Sequence, residues 1–279
     1  MRVDAHVQFR DVSRFRYPCV SDDSPLRRNY LPEHLAPILR RNRFEGAVAV
    51  AALTTPDETR WLLELAGRHD FVAGVVGWAD LACPRLGHVL DEYQCHPKFK
   101  GLRHPVDGEP DGNWLLREEV IRGLGELARR GIPFGLAIGP AQLKLVPRLA
   151  ERVPELHMAI EHLGKPPIAH GGSDGWASDL EAAARLPQVF CTLSGLITEA
   201  DWSGWNPGQL RPYIAHALGV FGPERLMFGS DWPRCTLAGT WKEVLAAFTQ
   251  AAGPLPMPTR GQILGGASTR FYGLAAAAS

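Results

Sequence analysis

A chain of 279 residues with 30 basic and 30 acidic side chains has no net charge, so it offers no basic face to nucleic acid or anionic lipid. Hydrophobic residues at 45% and charged residues at 22% are the balance of an ordinary globular core, and no apolar run approaches the roughly 18 residues of a membrane span. The five cysteines, Cys19, Cys83, Cys95, Cys191 and Cys235, are odd in number and lack a C-x-x-C spacing, which argues against a disulfide framework and a thiolate zinc site.

The first strand is expected at Val3–Ala5, and a strand that early leaves no room for a signal peptide, so the expected location is the cytoplasm. His6 and Gln8 end this strand on one face. A long loop, Phe9 to Pro32, follows with Arg14, Arg16, Tyr17, Arg27, Arg28 and Tyr30. Ala47–Ala51 is the second strand. Thr55-Pro56-Asp57-Glu58 then opens a helix with a capping box and proline at its first position, before Trp61, Leu62 and Leu65. Val72–Gly77 ends at Trp78, and Phe99–Arg103 ends at Arg103 and His104. Leu116, Val120, Leu124 and Leu127 make a helical stripe, Phe134–Ile138 a fifth strand, and Leu143, Val146 and Leu149 a second stripe. Met158–Ile160 ends at Glu161 and His162, followed by a glycine- and proline-rich loop from Pro166 to Trp176. Val189–Leu193 ends at Ser194 and Gly195, and Leu226–Phe228 leads to Asp231. Thr240 and Glu243 form a second capping box before Val244, Leu245 and Phe248. Phe271, Tyr272 and Leu274 either close the fold or serve a homodimer, and the terminal AAAAS reads as a frayed tail.

Eight mostly continuous apolar strands alternating with helices predict an α/β fold, a (β/α)8 TIM barrel filling residues 1–279 as one domain. A doubly wound open sheet is the alternative, but DAHVQFRD lacks the glycine-rich turn that such a sheet carries after its first strand. In a barrel the polar strand ends share one mouth, the face where active sites are built. Asp231 has a plain alternative as a turn cap, yet Trp232 and Pro233 form a stiff support that a cap does not need. His6, His162 and Asp231 suffice to hold one divalent ion such as zinc. Gln8 is a poor zinc ligand beside an imidazole and instead suits a hydrogen bond to a substrate oxygen without metal. Ser194 in TLSGL lacks the G-x-S-x-G elbow of an exposed nucleophile.

The stretches VDAHVQF, YLPEHL, VVGWADL, KGLRH, EHLGKP, LSGLITEADW and RLMFGSDWP, running in this order from Val3 to Pro233, resemble the amidohydrolase superfamily. Within it the chain is similar to the sugar-lactonase branch, related to L-fuconolactonase and 2-pyrone-4,6-dicarboxylate lactonase. The resemblance implies a distorted (β/α)8 barrel that hydrolyses a small lactone. It implies Asp231 as general base on the attacking water, His162 beside the reacting carbonyl, and His6 as the first histidine of a His-x-His pair. It assigns Arg103 and His104 to substrate oxygens, and Trp78, Trp232, Tyr17 and Gln8 suit the remaining contacts to a small oxygenated ring. Two positions depart from the branch: Gln8 replaces the second histidine, and Glu161 stands where aspartate is usual. Gln8 favours a site that requires no cofactor, with a zinc-type ion on His6, His162 and Asp231 as the alternative. The expected partner is a small molecule, with neither nucleic acid nor membrane. Amide hydrolysis, metal-dependent decarboxylation and a non-catalytic binder are the rival readings on the same scaffold.

Overall fold

Short runs of apolar residues, nearly all buried, form the eight strands: β1 Val3–Val7, β2 Gly46–Val50, β3 Val72–Gly77, β4 Phe99–Pro105, β5 Phe134–Ala137, β6 Met158–Ile160, β7 Val189–Leu193 and β8 Leu226–Phe228. They pair in parallel and in chain order. Helices occupy the connections, so the sheet is apolar on both faces. The computed structural model describes residues 1–18, 20–21, 23–173 and 175–275. Cys19 and the last four residues of the tail lie outside them. Cys83, Cys95, Cys191 and Cys235 are free thiols. No helix among the described residues is long and apolar enough to cross a membrane.

The last seam of the barrel is made just beyond β8. Gln8 N donates to Trp232 O at 2.7 Å and Asp231 N to His6 O at 3.0 Å, and Val7 bridges Trp232 in parallel. This places Asp231 directly beside the end of β1. The register of β1 slips between Asp4 and Val7. Val3 and Ala5 pack inside the barrel with Val48, Val76 and Met227. Asp4 instead reaches the outer layer, where its Oδ2 accepts the indole N–H of Trp241 at 2.7 Å. The slip lets an apolar barrel floor give way to a polar mouth within one strand.

Phe271, Tyr272 and Leu274 join that interior cluster, so they close the bottom of the barrel. A helix at Ala267–Tyr272 delivers them. The stripe that starts at Leu116 is interrupted: Leu116 ends a single turn at Trp114–Leu116, and the helix runs Glu118–Arg129. The stripe of Leu143, Val146 and Leu149 is likewise split between Pro140–Leu143 and Leu145–Arg152. Thr240 and Glu243 make the expected reciprocal cap, with Glu243 Oε2 accepting from Thr240 N at 2.6 Å.

The other capping box does not form. Thr55 caps Asp57 N at 3.3 Å, but Glu58 turns inward and accepts from Leu53 N at 2.6 Å. Glu58 is fully buried and its Oε1 has no hydrogen-bond partner among the described residues. Burial raises its carboxyl to about 7 from an ordinary 4.5. A carboxyl raised in the folded state holds its proton longer than the unfolded chain does, so its contribution is complete below about pH 4.5 and lost as pH rises through about 7. Glu58→Gln is therefore expected to flatten the fall in stability across that window, by a few kcal/mol in order of magnitude. Urea denaturation of both proteins at pH 5 and pH 8 checks it; parallel curves would contradict it.

Candidate active site

His6, His162 and Asp231 come from β1, from the turn after β6 and from the turn after β8, and all three are buried. His162 and Asp231 leave their strands at φ of 55° and 56°, an uncommon conformation for residues with side chains. Backbone strain of this kind costs on the order of 1–3 kcal/mol and persists where surrounding bonds impose it. Here His162 N donates to Thr192 Oγ1 at 2.9 Å, and Cys235 N donates to Asp231 O at 2.9 Å. Asp4 Oδ1 also accepts from Ser230 N at 2.8 Å, fixing the residue before Asp231.

The imidazoles of His6 and His162 meet edge to face with centroids 4.6 Å apart. His6 Nε2 lies 3.7 Å from Asp231 Oδ1. His162 Nδ1 lies 2.8 Å from Ser194 Oγ, which in turn lies 2.8 Å from Thr192 Oγ1. With the proton on Nδ1 donated to Ser194, this relay leaves Nε2 of His162 unprotonated and facing the other groups. Gly195, at φ 67°, makes room for it: a Cβ there would sit 2.8 Å from His162 Nδ1. Gly229 similarly lets β8 pass His6, whose Cβ would be 2.7 Å from an added Cβ.

Burial dominates the electrostatics. It lowers His6 to about 4 and His162 well below the usual imidazole range, so both rings are neutral near pH 7. It raises Asp231 to about 7, against the pull of Arg234 and Arg10. Desolvation alone would also raise Glu161, but the Arg103 guanidinium holds it below the ordinary range. Arg103 Nη2 donates to Glu161 Oε2 at 2.9 Å and its Nε to Oε1 at 3.0 Å.

The sequence-derived candidates sort differently in space. Arg103 spends Nε and one N–H of Nη2 on Glu161 and one N–H of Nη1, at 3.0 Å, on Ala51 O, which leaves one N–H on each terminal nitrogen. His104 is saturated: its Nδ1 accepts from Trp78 Nε1 at 3.0 Å, its Nε2 lies 2.7 Å from Glu109 Oε1, and its ring stacks on Trp114 at 4.0 Å. Trp232 packs edge to face on Tyr30 and Phe9. These contacts fix the positions of Arg103, His104, Trp78 and Trp232 around the site. Tyr17 does line a cavity, and Gln8 accepts from Arg10 Nη2 at 3.2 Å. Arg10, Asp4 and Arg234 are not singled out by the sequence reading, which places Glu58 only in a helix cap. For Arg10 the signal was available, because it continues the His6, Gln8 alternation.

The donor chemistry fits a divalent cation. Among the described residues, the group whose ligand atoms all lie within 4.8 Å of one another is His6, Glu161 and His162, so Glu161 rather than Asp231 completes it. Asp231 borders it through His6. His6 Nε2 and both carboxylate oxygens of Asp231 are buried without a hydrogen-bond partner among the described residues. Neutral imidazoles with carboxylates are a set that zinc accepts. The leaning toward a cofactor-free site, drawn from Gln8, thus finds no support: the missing second imidazole is offset by Glu161.

A parallel eight-stranded barrel carrying these histidines and acids at the C-terminal ends of its strands defines an amidohydrolase-type protein. The Amidohydrolase family model matches residues 3–274, and the chain belongs to that family. It is 35% identical to an L-fucono-1,5-lactonase of Burkholderia multivorans over 98% of this chain and 96% of the relative. It is 34% identical to an L-fucono-1,5-lactonase of Burkholderia ambifaria, over 97% and 95%. A crystal structure of an amidohydrolase from Burkholderia multivorans with bound zinc superposes with a TM-score of 0.92 at 35% identity, covering 99% of this chain and all of that one.

Proposed function

We propose that this protein hydrolyses a small sugar-acid lactone, with Asp231 activating the attacking water. The observation that carries the reading is the Asp231 carboxylate, 1% exposed, without a hydrogen-bond partner among the described residues and 3.7 Å from His6 Nε2. The two lactonase relatives, similar over nearly their whole length, support the substrate class.

Asp231 takes one proton of the water as its oxygen bonds to the carbonyl carbon. The carbonyl π electrons move onto oxygen. The tetrahedral centre then collapses, the ring C–O bond breaks, and Asp231 returns its proton to the departing ring oxygen. The product is an open hydroxy acid. Ser194 and Thr192 hold the His162 ring, and Arg103 holds Glu161 as a carboxylate. A divalent cation on His6, His162 and Glu161, bordered by Asp231, would polarise the carbonyl as a Lewis acid.

Hydrolysis of L-fucono-1,5-lactone, followed by proton release, tests the reading. The expected result is saturable opening that falls about tenfold or more on chelation and returns with added zinc. Folded, zinc-loaded protein that opens no sugar lactone would contradict it.

A further inference from the structure

Arg10 has the same strand parity as His6 and Gln8, and it is 6% exposed. Its Nη2 donates to Gln8, and its guanidinium carbon stands 5.0 Å over the Tyr17 ring. Its Nε and Nη1 are buried with no hydrogen-bond partner among the described residues. A guanidinium stays charged at any ordinary pH, and buried donors that lack partners are costly. Arg10 lines a cavity of about 350 Å³ together with Tyr17, Ser21, Ser24, Trp202 and Arg234. This cavity lies beside the histidine cluster: Arg234 Nε is 4.0 Å from Asp231 Oδ2. Asp231 and Glu58 both act on Arg10 through space, but no acid among the described residues forms an ion pair with it, and Glu58 spends its Oε2 on Leu53 N.

We propose that this cavity is an anion subsite, and that the lactone opened here carries a free carboxylate besides its ring ester, held by Arg10 and Arg234. The inference rests on the lactonase reading and sharpens it. It also gives Gln8 a role: a neutral acceptor at this position orients Arg10, leaving the guanidinium charge for the ligand.

Two lactones that differ in one carboxylate test it: gluconolactone and the monolactone of glucaric acid. The acidic lactone is expected to have the higher kcat/KM. Arg10→Gln is expected to lower the acidic-to-neutral ratio roughly thirtyfold or more, the scale of losing one partner of a buried charge pair. Arg10→Lys, which keeps the charge, should fall between and guards against simple misfolding. Calorimetric titration with glutarate, a dicarboxylate that cannot be turned over, reads the subsite without catalysis. Glutarate binding that depends on Arg10 in a protein opening neither lactone would leave the subsite standing and remove the lactonase reading. Equal use of the two lactones by the wild type, or glutarate binding unchanged in Arg10→Gln, would overturn the subsite.

Discussion

Asp231→Asn is expected to lower kcat for lactone opening about a thousandfold, the scale of losing a positioned general base. The amide fits the same space but cannot take the proton of the attacking water. Because Asp231 also borders the candidate cation group, zinc content is measured alongside the rate. If the carboxylate acts as base, excess zinc does not rescue the variant; full rescue would reassign it to metal retention. The variant should fold at least as well as the wild type. Burial raises Asp231 to about 7 from 3.8, so in metal-stripped protein its ionisation costs stability as pH rises through that range. Urea midpoints at pH 8 for the two stripped proteins check the sign. A kcat within tenfold of wild type would remove Asp231 from the mechanism.

Arg103→Met is expected to cost about 3–5 kcal/mol of stability, because it leaves Glu161 as a buried anion without its guanidinium. The pair is 9% and 4% exposed at its side chains, so solvent screens it little. The lost bond from Nη1 to Ala51 O adds to the effect. Adding Glu161→Gln removes the stranded charge and should recover most of the loss, while activity stays low because the carboxylate beside His6 and His162 is gone. Denaturation of the two single variants and the double variant closes the cycle. A single-variant cost below about 1 kcal/mol would mean that another group holds Glu161.

The barrel was legible because its strands are short apolar runs whose ends carry the polar residues. β3, β6, β7 and β8 match the sequence reading residue for residue. His6, His162 and Asp231 were visible for the same reason: an acid or imidazole ending a core strand is placed by the fold itself. The protein partners of Arg103 and His104 were hidden, because tertiary packing sets them; Glu161 is 58 residues from Arg103. The register slip in β1 was equally hidden, since no local residue preference announces it. Glu58 shows the limit of a local motif. T-P-D-E spells a capping box, but a nearby backbone N–H on Leu53 captured the carboxylate instead. Arg10 was legible in principle from alternation along the first strand, but the long loop beyond it drew the reading to more distant arginines.

The most direct test of the central claim is proton release from a small sugar lactone by purified, zinc-loaded protein, measured against the spontaneous rate of ring opening. The account predicts saturable opening far above that background. A folded, metal-loaded protein whose rate matches the background across sugar lactones, neutral and acidic, would contradict it.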